Sequence, residues 1–99
     1  MIVVRSGLLA AFLLVPTLCF AADEPPGASS CSGCHTVRSG VQSPVPPLNG
    51  RNAAEVIAAM TEFRSGARPS TVMDRIAKGF TAEETQAIAA WLQTQRQPN

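Results

Sequence analysis

Cys31-Ser32-Gly33-Cys34-His35 sets two thiols three residues apart, with an imidazole directly after the second. On one helical turn two such thiols can form thioethers to the two vinyl groups of a single haem, and the adjacent His35 can then reach the iron. A bare CxxC is a weak signal, whereas CxxCH in an exported chain is a strong one. Structural zinc normally takes four ligands, and residues 22–99 hold no Cys or His beyond these three. A thioredoxin-like dithiol belongs in a βαβ setting, for which the chain has neither the length nor any run alternating with period two. The motif therefore predicts one covalent haem c held by Cys31 and Cys34, with His35 as an iron ligand.

On the N-terminal side, Asp23 to Ser30 is rich in Pro, Gly and Ser. An irregular lead should give way there to at most a short helix around Cys31 to His35. Further back, Arg5, the apolar stretch Gly7 to Leu18 and then Cys19, Phe20, Ala21 and Ala22 have the order of a secretory signal peptide. Cleavage after Ala21 puts small Cys19 and Ala21 at the positions that signal peptidase reads, whereas cleavage after Ala22 would put bulky Phe20 there. An uncut membrane anchor needs about 20 apolar residues, and Pro16 interrupts this run well short of that. A lipoprotein reading of Cys19 meets Leu18 where lipid attachment normally requires a small residue. The expected organisation is a signal peptide over 1–21 and a single domain over 22–99, exported to the periplasm with no membrane span after cleavage.

Within 22–99 the basic residues Arg38, Arg51, Arg64, Arg68, Arg75, Lys78 and Arg96 balance the acidic Asp23, Glu24, Glu55, Glu62, Asp74, Glu83 and Glu84. A neutral polypeptide gives no reason to propose nucleic acid as a partner. A chain of under about 80 residues rarely buries enough apolar surface to fold robustly without a staple. A Cys31–Cys34 disulfide would close only a tiny loop and constrain little of the unfolded chain, so a cofactor is the better staple.

On the C-terminal side, Thr36 to Gly50 has no periodicity, and Pro44, Pro46 and Pro47 forbid a helix. A loop of that length in a small domain is usually functional or disordered, and a ligand to wrap would order it. Asn52 then caps a helix with Glu55 as the return partner, and Val56, Ile57, Met60 and Phe63 form its apolar face until Gly66 ends it. Ala67 to Val72, with Pro69, reads as a loop, and Asp74 to Lys78 as a single helical turn before Gly79. Thr81 and Glu84 make a second capping box. Ala87, Ile88, Trp91 and Leu92 repeat behind it until Pro98 prevents continuation. The fold class is small and all-α.

The second axial ligand must come from Met60 or Met73, since Met1 leaves with the signal. Met60 shares its helix face with Val56, Ile57 and Phe63, where a core-filling role is the better reading. Met73 follows the Arg68-Pro69 break in a loop, where the backbone can bring a thioether over the haem face opposite His35. Met73 is favoured, with an open or water-ligated site as the remaining alternative.

The stretch Phe63-Arg-Ser-Gly-Ala-Arg-Pro-Ser-Thr-Val-Met73-Asp-Arg-Ile-Ala-Lys-Gly-Phe80, followed by Thr81-Ala-Glu-Glu84, resembles class I cytochromes c. It is especially similar to the cytochrome subunit of flavocytochrome c sulfide dehydrogenase and its dihaem relatives, over essentially all of 22–99. The resemblance implies a class I cytochrome c fold wrapped around one haem, with Met73 as the distal ligand. It also implies that Pro46-Pro47-Leu48-Asn49-Gly50 plays the family's Pro-x-Leu-x-Gly part. The Pro46 carbonyl would accept a hydrogen bond from His35 and fix its tautomer, and Leu48 would pack on the haem. Two departures stand out: the lead before the motif is too short for the family's first helix, and one CxxCH in place of two implies one haem.

With both axial positions filled, the expectation is a single-electron carrier that is no enzyme on its own. The resemblance implies the electron-accepting subunit of a sulfide-oxidising flavoprotein dehydrogenase. A free shuttle serving another redox protein, such as a terminal oxidase or reductase, is one alternative; a haem enzyme or gas sensor with a displaceable Met73 is another. The covalent reading has a direct check. Acidic organic extraction should leave the haem on the polypeptide, and haem moving into the solvent would refute attachment through Cys31 and Cys34.

Overall fold

Two capping patterns in the sequence set the two long helices of the computed structural model, which describes residues 23–98. Its helices are α1 (Ala28–Cys31), α2 (Ala53–Ser65), α3 (Met73–Ala77) and α4 (Ala82–Thr94), with no strand among the described residues. The fold is all-α, as expected. The signal peptide and its cleavage site lie outside the described residues. No helix among those residues is long and apolar enough to cross a membrane.

At the start of α4, Thr81 Oγ1 accepts from Glu84 N at 3.1 Å and Glu84 Oε2 accepts from Thr81 N at 2.8 Å. This complete box satisfies two amides that the helix itself leaves free. On α2 only half of the box forms, with Asn52 Oδ1 accepting from Glu55 N at 3.2 Å. The next amide, Ala53 N, donates instead to Gln93 Oε1 at 2.7 Å, so α4 completes the start of α2. Gly66 closes α2 at φ 80° with its N–H on the Phe63 carbonyl, the left-handed ending that glycine permits.

Three boundaries differ from the sequence expectation. α1 ends on Cys31, the first residue of the motif, and does not run across it; turn bonds from Cys34 N (3.2 Å) and His35 N (2.9 Å) to the Cys31 carbonyl carry the chain round. Met73 is the first residue of α3 and not part of the preceding loop. Ser70 Oγ there accepts from Asp74 N at 3.0 Å and donates to Asp74 Oδ1 at 3.2 Å, which supports a helix start earlier than expected. α4 stops at Thr94, well before Pro98. Thr94 Oγ1 (2.7 Å) and Gln95 Nε2 (3.2 Å) both donate to the Trp91 carbonyl, so side chains replace the next helical amide.

α2 packs against both α3 and α4. Ala28, Ile88 and Leu92 form the buried apolar cluster, with Cys31, Leu48, Val56, Phe80 and Trp91 against it. The buried stripe of α4 is Thr85, Ile88, Ala89 and Leu92; Ala87 is exposed and Trp91 half-buried, a shift of the predicted face toward the side that receives α1 and α2. Val56, Ile57, Met60 and Phe63 are each half-buried. The protein core is thus thin, which agrees with the short chain.

Gly27 enters α1 at φ 88°, and a Cβ there would stand 3.0 Å from Phe80 Cε1 and 3.7 Å from Ile88 Cδ1. The short lead can lie against α4 because this position has no side chain. Gly40 has φ 73° but nothing within 4 Å of the same position. Each Gly→Ala change should cost about 1 kcal/mol for the left-handed backbone alone. Gly27→Ala should cost more than Gly40→Ala by the clash with Phe80, as read by urea unfolding; equal losses would contradict the close packing.

Candidate functional site

Residues 29–35 are wound tightly by their own hydroxyls: Ser30 Oγ donates to the Gly27 carbonyl at 2.6 Å and Ser32 Oγ to the Ser29 carbonyl at 2.7 Å. This turn delivers Cys31, Cys34 and His35 in succession. His35 Nδ1 lies 2.6 Å from the carbonyl oxygen of Pro46. A carbonyl can only accept, so Nδ1 carries the proton and the neutral ring keeps a free lone pair on Nε2. That is the form in which imidazole ligates a metal.

The Pro46 segment is anchored in turn. Arg51 N donates to the Leu48 carbonyl at 3.1 Å, and Gly50 N donates across to the Leu92 carbonyl of α4 at 2.8 Å. Cys31, His35 and Leu48 line one cavity of about 350 Å³ together with Val37, Trp91 and Leu92. Cys31 is half-buried and Cys34 exposed. Burial pushes the Cys31 thiol up, its own backbone hydrogen bond opposes this, and the Glu24 charge adds to the rise. Its neutral form is therefore favoured.

The structure brings together Cys31, His35, Pro46 and Leu48, and sets Cys34 on the exposed side of the same turn. Met73, half-buried at the start of α3, is not among the residues that line this cavity. Met60 lies on α2 and lines a second cavity of about 450 Å³ with Thr61, Arg64, Ala82 and Thr85. Val37, Trp91 and Leu92 escaped the sequence reading as site residues. Trp91 and Leu92 carried the helical period of α4 and read as core, while Val37 sits in an aperiodic loop with no signal of its own.

Among the described residues no group of three or more His, Cys, Asp or Glu side chains could hold a bare metal ion. The donor set suits a haem instead. Two thiols on one turn can form the thioethers, the free Nε2 of His35 can take the iron, and Leu48, Trp91 and Leu92 supply apolar walls.

An all-helical fold with a CxxCH turn, and a proximal-type histidine tied to a proline carbonyl, are the marks of a small class I c-type cytochrome. Known proteins agree. The chain is similar to the cytochrome subunit of sulfide dehydrogenase from Chlorobaculum tepidum, 40% identical over 62 residues, which are 63% of this chain and 56% of that protein. It is similar to cytochrome c4 of Azotobacter vinelandii, 32% identical over 73 residues, 68% of this chain and 35% of that one. The thiosulfate dehydrogenase electron acceptor of Stutzerimonas stutzeri is 33% identical over 76 residues, 75% of this chain and 35% of its own length. The chain thus spans between about a third and just over half of these relatives. No family model matches the sequence.

Proposed function

We propose that this chain is a periplasmic monohaem c-type cytochrome that passes single electrons as the electron-accepting subunit of a flavoprotein sulfide dehydrogenase. The observation that carries the reading is the 2.6 Å contact of His35 Nδ1 with Pro46, which leaves Nε2 free on a ring that lines the same cavity as Cys31 and Leu48. Cys31 and Cys34 hold the haem by thioethers, His35 and Met73 are the axial ligands, Pro46 orients His35, and Leu48 packs on the ring. When bound, haem c supplies a one-electron ferric/ferrous couple, and a Met ligand raises its potential relative to two nitrogen ligands. With both axial positions taken by side chains no coordination site is left for a substrate, which favours a carrier over a catalyst.

The partner reading draws on the Chlorobaculum relative, whose name makes it a sulfide dehydrogenase subunit. It also draws on surface chemistry. Among the described residues Val37 (51%), Val41 (50%), Val72 (52%) and Ile76 (42%) are the exposed large apolar side chains, and they belong to the segments that follow His35 and flank Met73. Residues 22–99, whose side-chain charges balance, gain little encounter rate from charge. A lasting apolar contact is the natural use of such side chains.

The ligand assignment is tested by substitution. Met73→Ala should abolish the charge-transfer absorption of ferric haem bound to thioether sulfur, and Met60→Leu should leave it; the reverse pattern would make Met60 the ligand. The partner is tested by co-expression with a sulfide-oxidising flavoprotein from the same cell. A stable complex whose haem is reduced on adding sulfide is expected, whereas separate elution with no reduction by the flavin would favour the free shuttle.

A further inference from the structure

We infer that Arg64 and Arg68 are positioning residues that clamp the two ends of the Met73 segment to the last turns of α2 and so hold the distal ligand in place. The inference rests on the assignment of Met73 as that ligand. Between residues 68 and 80 the segment is ordered only in part by its own contacts, the Ser70–Asp74 hydrogen bonds and the packing of α3 on α2. α3 is five residues long, Ala77 is the one residue of the segment that is fully buried, and Val72 and Ile76 are about half exposed. A stretch with so few buried contacts opens locally at low cost unless it is tied at its ends.

Both ends are tied, each by an arginine. At the entrance, Arg68 N donates to the Glu62 carbonyl at 3.3 Å, Arg68 Nε donates to Glu62 Oε2 at 2.6 Å, and the guanidinium lies over the Phe63 ring, 5.6 Å from its centre. At the exit, Arg64 Nη1 donates to the Phe80 carbonyl, the last residue before the α4 cap. Glu62, Phe63 and Arg64 are consecutive on α2. One helical turn therefore holds both ends of the loop.

The Arg68–Glu62 pair is exposed at 47% and 44% of its side chains, and an isolated pair of that kind stabilises little. Its weight here comes from three contacts converging on one residue and from the charged donor on a carbonyl at the other end. The effect should fall on local opening of the segment and much less on global folding. Opening lifts Met73 from its position and exposes the iron's sixth site, so uptake of carbon monoxide by the ferrous holoprotein counts open molecules.

Arg64→Gln, Arg68→Gln and the double variant should be prepared as holoproteins, with Arg96→Gln as a control for the change in charge. Each single variant should take up carbon monoxide about threefold faster than the parent and the double about tenfold faster, the range expected when one or two modest charged contacts are lost. On heating, the thioether charge-transfer absorption of the ferric variants should disappear before far-ultraviolet helicity does. Arg96→Gln should match the parent. Carbon monoxide uptake at the parental rate in the double variant, or loss of the absorption only together with helicity, would overturn the clamp. Met73→Ala separates this outcome from failure of the underlying assignment. If it loses the absorption while the arginine variants behave as the parent, the clamp alone is wrong; if it keeps the absorption, Met73 is not the ligand and the inference falls with it.

Discussion

The hydrogen bond between His35 Nδ1 and the Pro46 carbonyl joins residues eleven apart in the chain, and the rest of the site is arranged around it. Proline suits both sides of that bond. Pro44, Pro46 and Pro47 keep the segment out of any helix, so the Pro46 carbonyl is not claimed by an amide four residues on. The motif turn supplies the other partner, since the His35 amide is held at 2.9 Å by the Cys31 carbonyl. With Nδ1 committed, Nε2 is left as the donor atom, and one contact thereby settles both the tautomer and the orientation of the ring.

The same loop then delivers Leu48 to the cavity and ends on Gly50, whose amide is fastened to the Leu92 carbonyl at 2.8 Å. Leu92 is itself part of the buried cluster with Ala28 and Ile88. The apolar wall and the small core therefore share Leu48, Trp91 and Leu92. The Met73 side of the molecule is built differently. There the contacts of Arg68 and Arg64 with α2 lie at the two ends of the 68–80 segment, beyond α3 on either side, and Ala77 is the one fully buried residue between them.

Much of this was legible in the residues because the relevant signals are local. Asn52 and Thr81 announced their helices, Gly66 its ending, and the prolines of 44–47 the long loop, each through an effect acting within a few residues. CxxCH marked Cys31, Cys34 and His35 by spacing alone. Part of what escaped was non-local: the completion of α2 by Gln93 and the rotation of the buried face toward Thr85 depend on which elements meet. The rest was local but carried by side-chain hydrogen bonds that periodicity does not reveal: Thr94 and Gln95 folding back on the Trp91 carbonyl at the end of α4, and Ser70 bonding Asp74 at the start of α3. Trp91 was read correctly as part of a helix and incompletely as to what it faces.

The bond from Ala53 N to Gln93 Oε1 joins residues forty apart, and with Gly50 N to Leu92 O it makes the start of α2 wait for the far end of the chain. This has a kinetic meaning. A polypeptide is made N-terminus first, so the CxxCH turn emerges long before α4 exists to cover it. Until then Ala28 lacks Ile88 and Leu92, and the Cys31 thiol that they later help to bury stands open. Non-local closure of this kind is slow compared with forming a helical turn. The order of synthesis thus leaves an interval in which the Cys31 thiol is more open to chemistry than in the folded chain, where it is half-buried, whereas Cys34 stays exposed after the last described helix has packed.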